Sequence, residues 1–199
     1  MPVPTIYYIR HGETAWNAEG RFQGTQDIPL NDLGRSQAIA AGVILGGLLA
    51  RDGHEPSGLP FVASPLGRAR ITMELVRGAL KLPPADYSLD NRLREIGYGQ
   101  WEGLTLSEMK LNDAATFARR DADKWGVAAP SGETYASVTL RMRDWLESLL
   151  TDTVAVAHGG TMRALMVALG VATPLEAADT PIGQGVVYVF SGGGVTKYG

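Results

Sequence analysis

The chain has 199 residues, 45% of them apolar and 20% charged, with a formal net charge of −3 and no cysteine. That length suits one domain, residues 1–199, with a substantial core. No basic block marks a nucleic-acid partner, and the lack of cysteine excludes disulfides, thiolate metal sites and thiol catalysis while fitting a reducing cytoplasm.

Met1–Thr5 has neither a charged n-region nor a long apolar run, so no signal peptide is expected. Ile6–Ile9 is aromatic and β-branched and predicts a short buried strand, which stops at Arg10-His11-Gly12. Asn31 is a good N-cap for the helix that follows. The longest apolar stretch, Ala38–Ala50, is interrupted by Gly42, Gly46 and Gly47 and is too short to cross a bilayer. It reads as a core helix, and no membrane partner is expected. Arg51–Pro60 reads as a surface loop.

Phe61–Ala63 predicts a second strand. Ser64 and Pro65 after it suit the N-cap and first position of a helix, with Arg68 in its first turn. Ala69, Met73, Val76 and Leu80 give that helix one apolar face. Thr105–Trp125 is helical but more polar and reads as a lid, part of a lid-like segment over about 105–135. Ala128–Gly132 is a loop. Val138, Met142, Trp145 and Leu149 mark another helix. Val154–Ala157 predicts a strand ending in His158-Gly159-Gly160, and Met162, Leu165, Met166 and Leu169 mark the helix behind it. Val186–Phe190 is the last predicted strand. Strands alternating with helices imply an α/β fold of three layers, a mostly parallel sheet covered on both faces.

In such a sheet ligands bind beyond the carboxyl ends of the strands. If the three strands that end in Arg10-His11-Gly12, Ser64-Pro65 and His158-Gly159-Gly160 are parallel neighbours, two histidines and two arginines converge. Arginine forks match phosphate oxygens, and a neutral imidazole kept so by nearby arginines can attack phosphorus. The glycine after each histidine permits close approach, and a glycine carbonyl there can hold one ring nitrogen and fix the tautomer. "LREIGYGQWEG" supplies two carboxylates, Glu95 and Glu102. Glu95, near a phosphate and an apolar wall, suits a general acid with a raised pKa. Taken singly, each residue has a structural reading: a core histidine, a surface arginine, an Asn17 that caps a turn. His54, the third histidine, lies in a Gly/Pro loop and reads as a bystander.

Arg10-His11-Gly12-Glu13-Thr14 with Asn17 resembles the signature of the histidine phosphatase superfamily, the phosphoglycerate mutase-like proteins. "RFQGTQDIPLNDLGRSQA" (Arg21–Ala38), "ASPLGRARITMEL" (Ala63–Leu75), "LREIGYGQWEGLT" (Leu93–Thr105) and "VAVAHGGTMRAL" (Val154–Leu165) resemble its further segments, in order. The resemblance implies a mixed sheet with one antiparallel strand, flanked by helices, and neither metal nor other cofactor. It implies His11 as nucleophile, Arg10, Arg68 and His158 as phosphoryl ligands, and Glu95 as proton donor and then base. Substrate-binding positions would be Thr14, Asn17, Gln23, Gly24 and Gly159.

The activity implied is that of a histidine acid phosphatase-type phosphomonoesterase on a small phosphorylated metabolite. Gly159-Gly160 after His158, the short span between Glu95 and His158, and "GQWEG" favour hydrolysis. Tyr98 and Arg119-Arg120 favour the alternative, a bisphosphoglycerate-dependent mutase. A non-catalytic phosphate-binding domain is a third reading, which the full set of Arg10, His11, Arg68, Glu95 and His158 disfavours. Specificity is expected from Thr105–Trp125 and from loops around Gln23 and Ser131–Thr134. The sequence leaves the oligomeric state open; a homodimer would pair through an exposed part of Val186–Phe190 or an edge strand.

Overall fold

The computed structural model describes residues 3–199. Six strands form one sheet: β1 (Ile6–Arg10), β2 (Phe61–Ala63), β3 (Ser88–Leu89), β4 (Thr153–Ala157), β5 (Val187–Ser191) and β6 (Gly194–Tyr198). Their order across the sheet is β3-β2-β4-β1-β5-β6. The β1, β2, β3 and β4 strands run parallel, and β5 is antiparallel to its neighbours β1 and β6. The mixed sheet with one reversed strand is therefore present.

The central strands read as continuous apolar runs because both their faces are covered. Along β1 the side chains alternate. Ile6 and Tyr8 join a core with Trp145 and Met162, while Tyr7 and Ile9 join a second core with Leu45 and Met73. The first core lies under α6 (Tyr135–Glu147) and α7 (Gly159–Ala168). The second lies under α2 (Asp32–Arg51) and α3 (Gly67–Ala79). Each large apolar side chain buried in this way stabilises the fold by about 1.5–3 kcal/mol.

Several expectations change. The core helix expected over Ala38–Ala50 is present but longer: α2 runs for 20 residues through its glycines and is capped by Asn31, whose side chain accepts from Gly34 N. By length and composition it could cross a membrane. Its buried face, with Ala41, Leu45 and Leu49, instead packs on α3 and the sheet, and Gly42 lets it close on Val76 and Ala79. Ser64 is not an N-cap. The α3 helix begins at Gly67 with Leu66 in the cap position, and the Ser64 hydroxyl, which accepts from Leu66 N at 3.4 Å, lies 2.7 Å from His158 Nε2. Val187–Phe190 is buried between β1 and β6, so β5 offers no pairing edge; the edges are the short or more exposed β3 and β6.

The polar segment does fold as two short helices, α4 (Leu106–Asn112) and α5 (Ala114–Ala122). Two more short helices complete the set, α1 (Ala15–Ala18) and α8 (Pro174–Asp179).

Candidate active site

Strand register gathers the site. Arg10 stands opposite Ala157 and Ala63 opposite Val156, so β1, β4 and β2 end nearly level. Two backbone bonds carry the alignment past the strands: His11 N donates to Ala157 O at 2.9 Å and Ser64 N to Val156 O at 3.0 Å. His11 and His158 thus face each other with ring centroids 5.1 Å apart. The turn after β1 sits directly on α2. A Cβ on Gly12 would strike the Gly34 backbone, so only glycine fits there.

Both histidines are almost wholly buried, at 2% and 0% exposure. The His11 Nδ1 lies 2.7 Å from Gly12 O. A carbonyl only accepts, so Nδ1 carries the proton and Nε2 keeps its lone pair. Burial, then Arg68, then Arg10 hold the His11 imidazole well below its ordinary pKa, against the bond to Gly12. His158 is pushed down the same way by burial, Arg68, His11 and Arg10. Its Nε2 lies 2.7 Å from Ser64 Oγ, and Tyr8 Oη donates to its carbonyl at 2.7 Å.

The arginines are held from behind. Arg10 Nη1 donates to Ile182 O at 2.6 Å, and Arg68 donates to the carbonyls of Gln26 and Gly24. Burial lowers the pKa of each, with Glu95 opposing, yet a guanidinium remains charged at neutral pH. Among the described residues neither has a carboxylate at salt-bridge distance, although Arg68 is only 1% exposed. An unpaired buried charge costs several kcal/mol. An arriving anion would offset that cost.

Glu95 lies on the irregular stretch after β3. Its Oε1 accepts from Ile96 N at 2.9 Å and its Oε2 from Gly160 N at 3.2 Å. A Cβ on Gly160 would strike the Glu95 carboxylate, so the glycine brings the start of α7 onto it. Asn17 has three donors on Oδ1, from Thr14 N, Thr14 Oγ1 and Gln184 Nε2, which leaves its NH2 for the pocket.

The resulting pocket, about 240 Å3, is lined by Arg10, His11, Asn17, Gln23, Gly24, Arg68, Glu95 and Gly159 among the expected residues. His158 stands behind His11. Thr14 does not line the pocket: it is buried and caps α1 reciprocally with Asn17. Glu102 is elsewhere too, accepting from Thr25 N at 2.9 Å and Tyr98 N at 3.1 Å to tie two loops together. Tyr98 lines the pocket, edge-on to Phe22, and burial pushes its phenol pKa well above the ordinary value.

Neither Thr105–Trp125 nor Ser131–Thr134 contributes a lining residue, so of the expected specificity regions only the Gln23 loop reaches the pocket. Arg163 and Arg21, absent from the sequence expectations, do reach it. The signal for Arg163 was its spacing. Four residues after Gly159 and three after Gly160, it shares their helix face. His54 is 3.1 Å from Asp152 at the far end of the sheet, consistent with a bystander.

Such a cluster can accept a phosphoryl group, offer it a neutral imidazole nitrogen and place a carboxyl beside it. Comparison with known proteins agrees. The sequence family described as histidine phosphatase superfamily (branch 1) matches residues 6–194. Glucosyl-3-phosphoglycerate phosphatase of Mycolicibacterium vanbaalenii is 35% identical over 184 residues, covering 85% of this chain and 75% of that protein. The 2,3-bisphosphoglycerate-dependent phosphoglycerate mutase 2 of Gloeobacter violaceus is 30% identical over 188 residues, covering 89% and 80%. Among solved structures, mycobacterial glucosyl-3-phosphoglycerate phosphatase in complex with VO3 superimposes with a TM-score of 0.76 at 30% identity, covering 94% of this chain and 92% of that one. The chain belongs to branch 1 of the histidine phosphatase superfamily.

Proposed function

We propose that the protein, as one domain over residues 1–199, hydrolyses small phosphomonoesters through a phosphohistidine formed on His11. The observation that carries this reading is the His11 tautomer. Nδ1 is committed to Gly12 O at 2.7 Å, so the free nitrogen in the pocket is Nε2.

In the first step the Nε2 lone pair attacks phosphorus and the bond to the ester oxygen breaks. Glu95, protonated, gives its proton to that leaving oxygen. Arg10, Arg68 and the Asn17 amide take the equatorial oxygens, and His158 stands beside them. Because the guanidiniums are already fixed by backbone carbonyls, they need no reorganisation as charge develops. In the second step Glu95, now a carboxylate, takes a proton from water. The water oxygen bonds to phosphorus, the Nε2–phosphorus bond breaks, and inorganic phosphate leaves. The depressed His11 pKa keeps the nucleophile neutral into the acid range, which suits an acid phosphatase.

A mutase shares this chemistry and returns the phosphoryl group to a bound phosphoglycerate. The resemblance would have a mutase use Tyr98 with Arg119-Arg120. Here Tyr98 alone lines the pocket, while Arg119 is exposed and Arg120 lies over the Tyr98 and Trp101 rings at 5.4 and 6.0 Å. That favours water as acceptor. The test is a paired assay without added metal. One arm reads phosphate release from a panel of phosphomonoesters. The other reads 2-phosphoglycerate from 3-phosphoglycerate with catalytic 2,3-bisphosphoglycerate. Phosphate release is expected; isomerisation without release would make the protein a mutase.

A further inference from the structure

Of the two carboxylates between Leu93 and Gly103, Glu102 has no part in the steps above. It does not line the pocket, yet it is held in one place. Its Oε1 accepts from Thr25 N at 2.9 Å and from Tyr98 N at 3.1 Å, and its Oε2 accepts from Thr25 Oγ1 at 3.1 Å. Its own N–H donates to Gly99 O at 3.1 Å, closing the short turn over Gly99–Trp101. Gly24 makes room for it. That residue has φ of +52°, and a Cβ there would strike the Glu102 carboxylate.

The turn that Glu102 grips is the one that grips Arg68. Arg68 Nη2 donates to Gly24 O at 2.7 Å, and Arg68 Nη1 donates to Gln26 O. These two acceptors flank Thr25, whose N–H and hydroxyl are on Glu102. Gln26 N closes the turn onto Gln23 O at 3.0 Å. One four-residue turn, 23–26, is thus fastened by Glu102 on one side and fastens the Arg68 guanidinium on the other. Arg68 Nε is buried and has no partner among the described residues. The two carbonyls are therefore what aims the fork, and a shift of the turn would shift the aim.

We infer that Glu102 is a positioning residue for phosphoryl binding, acting through the Gly24 and Gln26 carbonyls on the Arg68 guanidinium. The inference rests on the proposed function for Arg68 as a phosphoryl ligand, and is indifferent to whether the final acceptor is water. The role requires an acceptor oxygen rather than a charge, because both backbone donors use the same Oε1. Fixed donors contribute most when they need not move as charge develops, and a misplacement of about 1 Å can cost about 10^2-fold.

The probe is orthovanadate, titrated calorimetrically into the full chain. Glu102→Ala is expected to weaken binding roughly tenfold, and Glu102→Gln, which keeps an acceptor at the Oε1 place, by less than about twofold. The loss must run through Arg68. In an Arg68→Lys background, where the fork is gone, Glu102→Ala should cost less than about twofold. In an Asn17→Ala background, where the fork is intact, it should still cost roughly tenfold. Equal losses in the two backgrounds would overturn the inference. So would a Glu102→Gln protein as weak as Glu102→Ala, since charge rather than geometry would then decide. Lower stability in urea with unchanged orthovanadate binding would overturn it too, leaving Glu102 a loop tie. If Arg68→Lys binds too weakly to titrate, the contrast between Glu102→Gln and Glu102→Ala decides alone. Phosphate release from p-nitrophenyl phosphate, read on the same preparations, separates the two claims. Release with no effect of Glu102→Ala on binding sinks the role of Glu102 alone. The expected binding pattern without release sinks the hydrolase reading and leaves Glu102 in place.

Discussion

The two ends of the sheet treat charge in opposite ways. Where β1 and β4 begin, charged and polar side chains find partners within the chain. Arg51 meets Asp52 at 2.7 Å, and Asp52 also accepts from the hydroxyl of buried Tyr7 at 2.7 Å. His54 lies 3.1 Å from Asp152, whose other oxygen accepts from Thr5 N at 2.7 Å. Where the same strands end, Arg10, Arg68 and Arg163 have no carboxylate partner among the described residues. Of the five buried side-chain polar atoms without a hydrogen-bond partner among the described residues, four also lie there: Arg10 Nε, Gln23 Oε1, Arg68 Nε and His158 Nδ1. Both ends use histidine, arginine and tyrosine, so residue type does not distinguish them. Completion does. The chain itself finishes one end and leaves the other open, as the proposed phosphomonoester function requires.

If that contrast is right, breaking the open end should abolish activity at little cost to the fold. The largest expected effect is from His11→Ala. Its kcat/KM on p-nitrophenyl phosphate should fall by at least roughly 10^4-fold with the circular dichroism spectrum unchanged. Turnover retained in a folded variant would remove His11 from the nucleophile role. Next is Glu95→Gln, which keeps shape and loses the proton. Its kcat should fall by roughly 10^2- to 10^4-fold while the Kd for inorganic phosphate stays within about threefold. The reverse pattern, weak phosphate binding with unchanged kcat, would show Glu95 to be a ligand rather than an acid.

A matched pair then sharpens the comparison. Arg68→Met removes a buried unpaired charge, and that relief offsets the lost bonds to the Gly24 and Gln26 carbonyls. Its unfolding free energy should stay within about 1 kcal/mol of the unmodified protein while phosphate binding is lost. Asp52→Ala at the closed end leaves the buried Tyr7 hydroxyl without its acceptor. It should lose about 1–3 kcal/mol in urea unfolding while kcat/KM changes less than about twofold. Equal stability losses from the two variants would show that the ends do not differ in kind.

The sequence made the open end legible because three strand ends carry its residues, and strand ends are set by local pattern. Apolar β-branched runs that stop at Arg10-His11 and at His158-Gly159 place those groups once the strands are parallel neighbours, as β1 and β4 are. What stayed hidden depends on contacts between distant segments. Ser64 reads as an N-cap, yet its hydroxyl lies beside His158, 94 positions away. The α2 glycines sit in a stretch that reads as a core helix, but their use shows only where α3 packs against Gly42. The β3 and β6 strands are short or exposed, so neither shows an apolar run. The pair α4 and α5 has the polarity of a lid, yet the pocket wall is built from the Gly20–Gly24 loop, Tyr98 and Arg163. Arg163 is invisible to strand-end reasoning because it lies a full turn inside its helix.

The smallest expected effect concerns pH. His11 and His158 are both held well below the pKa of about 6.5 that an unfolded histidine has. Above pH 6.5 folded and unfolded chains alike keep them neutral, so nothing is lost. As pH falls below 6.5 the unfolded chain binds protons that the fold refuses, and stability declines by about 1 kcal/mol per pH unit for each histidine. Urea unfolding between pH 6.5 and 5.5, above the range where most carboxylates titrate, should show this slope. His11→Gln and His158→Gln should each remove about half of it. Saturating phosphate should flatten it, because a bound dianion favours the imidazolium that Arg10 and Arg68 disfavour. A slope unchanged by phosphate would mean that the anion does not settle between the histidines and the arginines, and the open end would then be open for some other reason.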